Sequence, residues 1–367
     1  MIPVLRAFLP TAQQLSPYLE HIDRNQTYSN FGDLHCRLAQ KLGKVYNVND
    51  ENVTLCSSGT TALQVCLLEI INRLEKKPSQ LTIAAPNWTF SATIHSALSL
   101  GINVKLIDVD WQGIICKDKL KDFVHELDGV IVVAPFGAPI EYQAWVDFAK
   151  ENELELVFDC AASFFTLKSN PYPSVLSMHA TKGFSTGEGG AIITDDKVKS
   201  EKYKAISSFG FEGSRIPQVI GLNGKLSEYS CAIGLAMLED IINIEEKLKA
   251  LAYTYDNAFS NGTDCYKPFS QKNFARNTYS IKLDSRSESN INLLINKFSL
   301  RAIEVRSWWG EPISDLPLAR HCDASSVKGG ITISKELSET VLGIPFGLHI
   351  NNRDAEHIIT CTREIIN

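Results

Sequence analysis

The nine cysteines include no CxxC pair and follow no repeating spacing, so they spell neither a disulfide framework nor a metal site. Their odd number, and their place in apolar runs such as "LQVCLLEII", fit reduced, buried thiols of a cytosolic protein. No stretch approaches the roughly 18–20 apolar residues that a membrane span needs. The first residues, "MIPVLRAFLPTAQQLSPYLE", are too proline-broken for a signal peptide. Charge is also unremarkable in pattern. The net charge is −6 with no long run of either sign, which disfavours a nucleic-acid or anionic-membrane surface but permits a local pocket for a phosphorylated ligand. There is no internal repeat and no low-complexity tract. With 44% hydrophobic and 21% charged residues, the disordered and fibrous classes are excluded. The expectation is a cytoplasmic protein of one large and one smaller unit, since 367 residues exceed a single small core.

What is present is an alternation. "VTLCSS", "LTIAAP", "NVKLIDVD", "DGVIVVAPFG" and "LELVFDCA" read as strands. "TALQVCLLEIINRLEKK", "SATIHSALSLG" and "EYQAWVDFAKENE" read as helices between them. Runs as apolar as "DGVIVVAPFG" belong in a sheet covered on both faces. An α/β fold with a mostly parallel central sheet follows. After "AIITDD" the pattern changes: "SEYSCAIGLAMLEDIINIEEKLKALAYTYDNAF" predicts two helices or one bent helix, and "NGTDCYKPFSQKN" a linker. "TYSIKLD" and "RAIEVRSWW" then predict strands, and "ESNINLLINKFSL" and "RDAEHIITCTREIIN" helices. The expected division is a large α/β unit over 1–245 and a smaller α+β unit over 246–367.

Ligands of open α/β sheets bind beyond the carboxyl ends of the strands, and four groups fall there. In "CSSGTTAL", Ser58 caps a helix, Gly59 admits a ligand to the backbone, and the amides of Thr60 and Thr61 offer an anion site. Asp159 ends a strand too apolar to favour a carboxylate, so it requires a partner. Phe90 offers a flat face just after "LTIAAP". Ser177 and Lys182 precede Gly187, Gly189 and Gly190, and this loop is neither a P-loop nor GxGxxG. Taken singly, these are an N-cap, a helix-capping aspartate, a core aromatic and a solvated hairpin lysine. One planar, phosphorylated ligand with a basic ring nitrogen and an aldehyde, pyridoxal 5′-phosphate, accounts for all four. His95, in a helical pattern, reads as a core histidine.

Across most of the chain, these segments resemble in order the DegT/DnrJ/EryC1/StrS family of sugar-nucleotide aminotransferases, fold-type-I pyridoxal phosphate transferases. "SMHATKGFSTGEGGAI" resembles the family's Schiff-base lysine motif, and "GLNGKLSEYSCAIGLAMLE" its "GxNxRMSExQAAIGLxQL" helix. "YSNFG", "SSGTTAL", "NWTFSAT", "DCAAS", "VRSWWGEP" and "LSETVLGIPFGLHI" resemble its remaining site segments.

The resemblance implies that Lys182 is the catalytic lysine, that Asp159 pairs with the ring nitrogen, and that Phe90 covers the ring. Gly59, Thr60, Thr61 and Ser177 then hold phosphate. Asn223 reaches the phosphate of a neighbouring subunit, which implies a homodimer. Asn30, Lys225, Arg306 and Trp308, with Trp309 beside it, become substrate candidates. The implied reaction moves the amino group of L-glutamate, through pyridoxamine 5′-phosphate, onto a nucleotide-linked keto-deoxysugar. C4 of an NDP-4-keto-6-deoxyhexose is favoured over C3, and TDP or UDP over GDP, for O-antigen, lipopolysaccharide, glycan or antibiotic sugars.

Lys182 opposes the related dehydratases, which carry histidine there, and the intact lysine and aspartate oppose a non-catalytic regulator. Four features depart from the family. Ala162 stands where Gln or His is common, Lys225 replaces Arg, Asp33 stands where proline is common, and "GEPIS" lacks the "PPLH" histidine.

Overall fold

The computed structural model describes residues 1–260, 265–270, 274–284, 291–327 and 332–366. Seven strands form the main sheet: β1 (Val53–Cys56), β2 (Thr82–Pro86), β3 (Asn103–Ile107), β4 (Gly129–Val133), β5 (Glu155–Asp159), β6 (Ser174–Ser177) and β7 (Gly190–Ile193). Their order is β1-β7-β6-β5-β4-β2-β3. Strands β3, β2, β4, β5 and β6 run parallel, and β7 lies antiparallel between β6 and β1. A second sheet joins β8 (Tyr266–Pro268), β9 (Tyr279–Leu283) and β10 (Val341–Ile344), antiparallel in the order β10-β9-β8.

The alternation of side chains along each strand explains why the strands are apolar throughout. On β4, Val130 and Val132 enter one buried cluster while Ile131 enters the cluster on the opposite face. The helix Gly59–Leu74 covers the Ile131 side with Leu63, Val65 and Leu67 among others. From β2 the chain steps outward to β3 and returns to place β4 on the other side of β2. The crevice at this reversal opens at the carboxyl ends of β2, β4, β5 and β6.

The exposed edge of β3 is occupied by a segment from far along the chain. Leu106 N donates to Asp323 O and Asp323 N to Val104 O, both at 2.8 Å. The buried Lys105 ammonium pairs with Glu126 and Asp323, each at 2.8 Å. Pairing of this kind removes an open sheet edge.

The long helical stretch is two helices, Glu228–Glu239 and Ile241–Ser260, separated at Asp240. The 245/246 boundary falls inside the second. Ile2 and Val4 meanwhile hydrogen-bond to Ala302, Glu304 and Phe346 of the C-terminal part. The run "RAIEVRSWW" is not a strand. Ala302 takes a left-handed φ of 57°, and only isolated bridges form, Ile303 to Ile2 and Arg306 to Gly343. The expected linker contains β8, and its residues 261–264 and 271–273 lie outside the described residues, as do 285–290. Among the described residues, no helix is long and apolar enough to cross a membrane.

Asp108, just beyond β3, ties the two sheets' surroundings together. Its carboxylate accepts from Ile333 N at 3.0 Å, Ser334 N at 2.9 Å and Ser334 Oγ at 2.6 Å, at the start of the helix Ile333–Thr340. Lys119 is its ion-pair partner. Burial opposes the Asp108 charge, but the bonds from Lys119, Ser334 and Ile333 outweigh it and hold the carboxyl below its usual range. D108A should therefore lower stability by about 2–3 kcal/mol, the loss of a helix cap and charge-assisted bonds. This contribution is present above the unfolded-state pKa of about 3.9 and is lost as pH falls through the depressed folded value. Urea melts should show D108A separated from wild type at neutral pH and converging with it below about pH 4. Equal midpoints at neutral pH would contradict the latch.

Candidate active site

Each strand end at the crevice delivers one kind of group. After β1, Ser58 caps the helix Gly59–Leu74, its hydroxyl accepting from Thr61 N at 3.0 Å. The amides of Gly59 and Thr60 precede the first intrahelical acceptors, so they have no partner within the helix. Gly59 is required by space: a Cβ there would lie 2.9 Å from Ser177 Cβ. The helix N-terminus and the end of β6 thus converge. Gly190 permits the same approach from β7, since its Cβ would stand 2.4 Å from Ser58 O.

Lys182 lies in the connection between β6 and β7. Lys182 N donates to His179 O at 2.9 Å, and Thr186 N to Met178 O at 2.9 Å, which curls the loop back on β6. Ser185 Oγ donates to Met178 O at 3.1 Å and accepts from Gly187 N at 2.9 Å. The lysine is therefore mounted on a hydrogen-bonded loop and is half-buried. Enclosure pushes its pKa down, opposed by the charge of Asp159.

Asp159 ends β5 and is buried. Its Oδ2 accepts from Thr93 Oγ1 at 2.7 Å and its Oδ1 from Ala161 N at 3.2 Å. Burial pushes its carboxyl up, and the bonds from Thr93 and Ala161 with the Lys182 charge recover part of that shift.

These groups share one cavity of about 600 Å³. Gly59, Thr60, Phe90, Asp159, Ser177 and Lys182 line it from the large sheet, and Ala162 occupies a further part of the wall. Arg306, Trp308 and Trp309 close it from the C-terminal part. Trp309 is fixed by stacking on Phe136, with centroids 4.5 Å apart and planes at 18°, and by an edge contact with Trp88 at 4.9 Å. Arg306 lies above Trp308 at 5.5 Å and is paired with Glu304 at 2.8 Å. Phe90 stays 63% exposed, its ring available to a flat ligand.

Other positions singled out in the sequence lie elsewhere. Thr61 turns its hydroxyl back towards Ser57 and Ser58, at 3.2 and 2.9 Å. Asn223 is exposed away from the cavity and accepts from Lys225 Nζ at 2.9 Å, while Lys225 also sits over Phe209 at 4.6 Å. Asn30 is exposed, with a left-handed φ of 62°. His179 is half-exposed at the cavity rim, between Thr181 Oγ1 at 3.0 Å and Glu188 at 3.5 Å. His95 is not a core residue. It faces outward from the helix Ser91–Leu98, whose inner face is taken by Thr93, Ile94 and Ala97.

Three lining residues carried no recognisable signal in the sequence. Thr93 lies inside "NWTFSAT" but is an unremarkable helical threonine until Asp159 is brought beside it. Asn277 and Thr278 arrive from the approach to β9. Asn277 is only 8% exposed and donates to Thr181 O at 3.5 Å.

Comparison with known proteins identifies the family and the fold. A protein of Shigella dysenteriae, dTDP-4-amino-4,6-dideoxy-D-glucose transaminase, is 28% identical over 371 residues, covering 97% of each chain. The protein of the same name from Escherichia coli is 25% identical over 95% of each. The fold matches that of PseC of Helicobacter pylori, an aminotransferase involved in the biosynthesis of pseudoaminic acid, with a TM-score of 0.85 at 19% identity and 99% coverage of both chains. The aminotransferase family model itself matches residues 11–363, and the chain belongs to the DegT/DnrJ/EryC1/StrS aminotransferase family.

Proposed function

We propose that this aminotransferase moves the amino group of L-glutamate onto C4 of a nucleotide-linked 4-keto-6-deoxyhexose. The observation that carries the reading is the single cavity in which Lys182, Asp159 and the Gly59 helix N-terminus meet. The two relatives named for a dTDP-4-amino sugar, matched along almost their whole length, support C4 and a TDP-linked substrate.

The residues fit pyridoxal 5′-phosphate as cofactor. The missing Cβ of Gly59 leaves a cradle beside Ser177 where two helix amides offer hydrogen bonds to an anion. Asp159 supplies a buried carboxylate for a protonated ring nitrogen, and Phe90 an exposed face for the ring. When bound, pyridoxal phosphate supplies an aldehyde that condenses with amines and a ring that accepts electron density from the substrate carbon.

The chain's own residues do the rest. Lys182 Nζ would hold the cofactor through its amine and, when free, would move a proton to and from the reacting carbon. That task needs a neutral amine, and enclosure lowers the Lys182 pKa in the required direction. Asp159 would accept the hydrogen bond of a protonated ring nitrogen. Arg306 is a cation suited to glutamate's carboxylate or the nucleotide's phosphates, and Trp308 a face for base or sugar. Asn223 is exposed and the half-buried Lys225 is bonded to it; this surface pair suits contact with the active site of a second copy, so the reading includes a homodimer with shared sites.

Purified enzyme given glutamate and a panel of nucleotide-linked keto-sugars should release 2-oxoglutarate and aminate a dTDP- or UDP-linked 4-keto sugar. The product is identified by mass and by the position of the new amine. Amination at C3, or no amination of any 4-keto sugar, would overturn the reading. K182A should lose roughly a thousandfold or more in kcat, as expected when a covalent attachment and a positioned acid-base are removed together. Activity should rise with pH as Lys182 loses its proton, with a midpoint below the free-lysine value of about 10.4. A midpoint at or above that value would contradict the role of enclosure.

A further inference from the structure

Two threonines that the proposed reaction does not use form a chain ending on Asp159. Thr93 Oγ1 lies 2.7 Å from Asp159 Oδ2, and Thr89 Oγ1 lies 3.0 Å from Thr93 Oγ1. Thr89, Thr93 and Asp159 are 3%, 1% and 5% exposed, so bulk water does not compete for these bonds. Thr93 sits in the first turn of the helix Ser91–Leu98, and Thr89 lies just before its N-cap Phe90.

We infer that Thr93 is a positioning residue, which fixes Asp159 as a hydrogen-bond acceptor towards the cofactor's ring nitrogen, and that Thr89 sets the direction of the Thr93 hydroxyl. This rests on the reading of Asp159 as the partner of that nitrogen. A hydroxyl has one proton to give. An ionised carboxylate only accepts, so the Thr93 proton points at Asp159 and Thr93 must accept from Thr89. The chain then runs Thr89 to Thr93 to Asp159 and ends on negative charge. Were Asp159 neutral and donating to Thr93, the chain would reverse. The direction of two hydroxyl groups is thus coupled to the charge of a carboxylate that burial would otherwise neutralise.

The other groups facing Asp159 do not replace this bond. Ala161 N is at the longer distance of 3.2 Å and serves the other oxygen. Lys182 reaches it from the β6–β7 connection by charge alone. The adjacent Cys160 thiol, pushed up to about 12 by burial, stays neutral and adds no like charge beside the carboxylate.

The test uses enzyme loaded with pyridoxal phosphate labelled with ¹⁵N in the ring, whose nitrogen shift separates protonated from unprotonated pyridine. Wild type and T93S should show a protonated nitrogen across the stable pH range. T93V keeps the side-chain volume but removes the donor, so its nitrogen should lose the proton at lower pH than wild type. Its kcat for the glutamate half-reaction should fall roughly tenfold or more, with KM little changed, because the Thr93 hydroxyl is committed to Asp159. T89V should shift the signal in the same sense by less. D159N is the reference. A shifted D159N signal with T93V matching wild type would overturn the relay while leaving the role of Asp159 intact. An unshifted D159N signal would overturn both. If T93V does not fold, a T89V signal displaced from wild type and T93S supports the relay, and an undisplaced one contradicts it.

Discussion

Two opposite charges, one buried and one half-buried, organise this molecule. Asp159 and Lys182 are each enclosed where burial disfavours their ionised forms, and each stabilises the other's charge. A buried charge persists only when partners hold it. Much of the surrounding construction supplies those partners. The parallel sheet brings the ends of β5 and β6 side by side, the curled loop after β6 carries the lysine, and the helix after Phe90 brings Thr93 to the aspartate. The glycines at 59 and 190 are the steric condition for that convergence, because a side chain at either would push β1, β6 or β7 away from the helix N-terminus.

The second half of the chain works as a wall and a brace. Trp309, stacked on Phe136, and Arg306, held by Glu304, close the cavity from the far side. Asp108 ties the helix Ile333–Thr340 to the end of β3, and Asp323 pairs with the β3 edge. These contacts fix the wall against the sheet whose strand ends line the cavity. The N-terminal strand-like residues Ile2 and Val4 add a third tie, to the segment leading into Arg306.

The parallel sheet was legible because strands covered on both faces must be apolar at every position, and "GVIVV" and "ELVFD" are. The residues collected from its strand ends were legible because each broke a local rule: a carboxylate after an apolar run, a lysine before glycines, small residues before a helix. Features set by long-range contacts left no such trace. Thr93 and Asp159 are 66 positions apart, and Asp108 and Ser334 are 226 apart. Asn277 and Thr278 precede an ordinary strand, and nothing local marks them as cavity residues. "RAIEVRSWW" alternates like a strand, but the left-handed Ala302 and the tie to Ile2 break its pairing into isolated bridges. His95 shows the converse error, since a helical pattern does not say which face is inward until the neighbouring Thr93 and Ile94 are seen to be buried.

The central claim is that the amine of Lys182 is the covalent anchor of the cofactor. Borohydride reduction of protein reconstituted with pyridoxal phosphate, followed by peptide mapping, tests it most directly. The account expects a single reduced pyridoxyl group, on Lys182 within "TKGFSTGEGG". Modification of a different lysine, or none in protein shown to be folded, would contradict it.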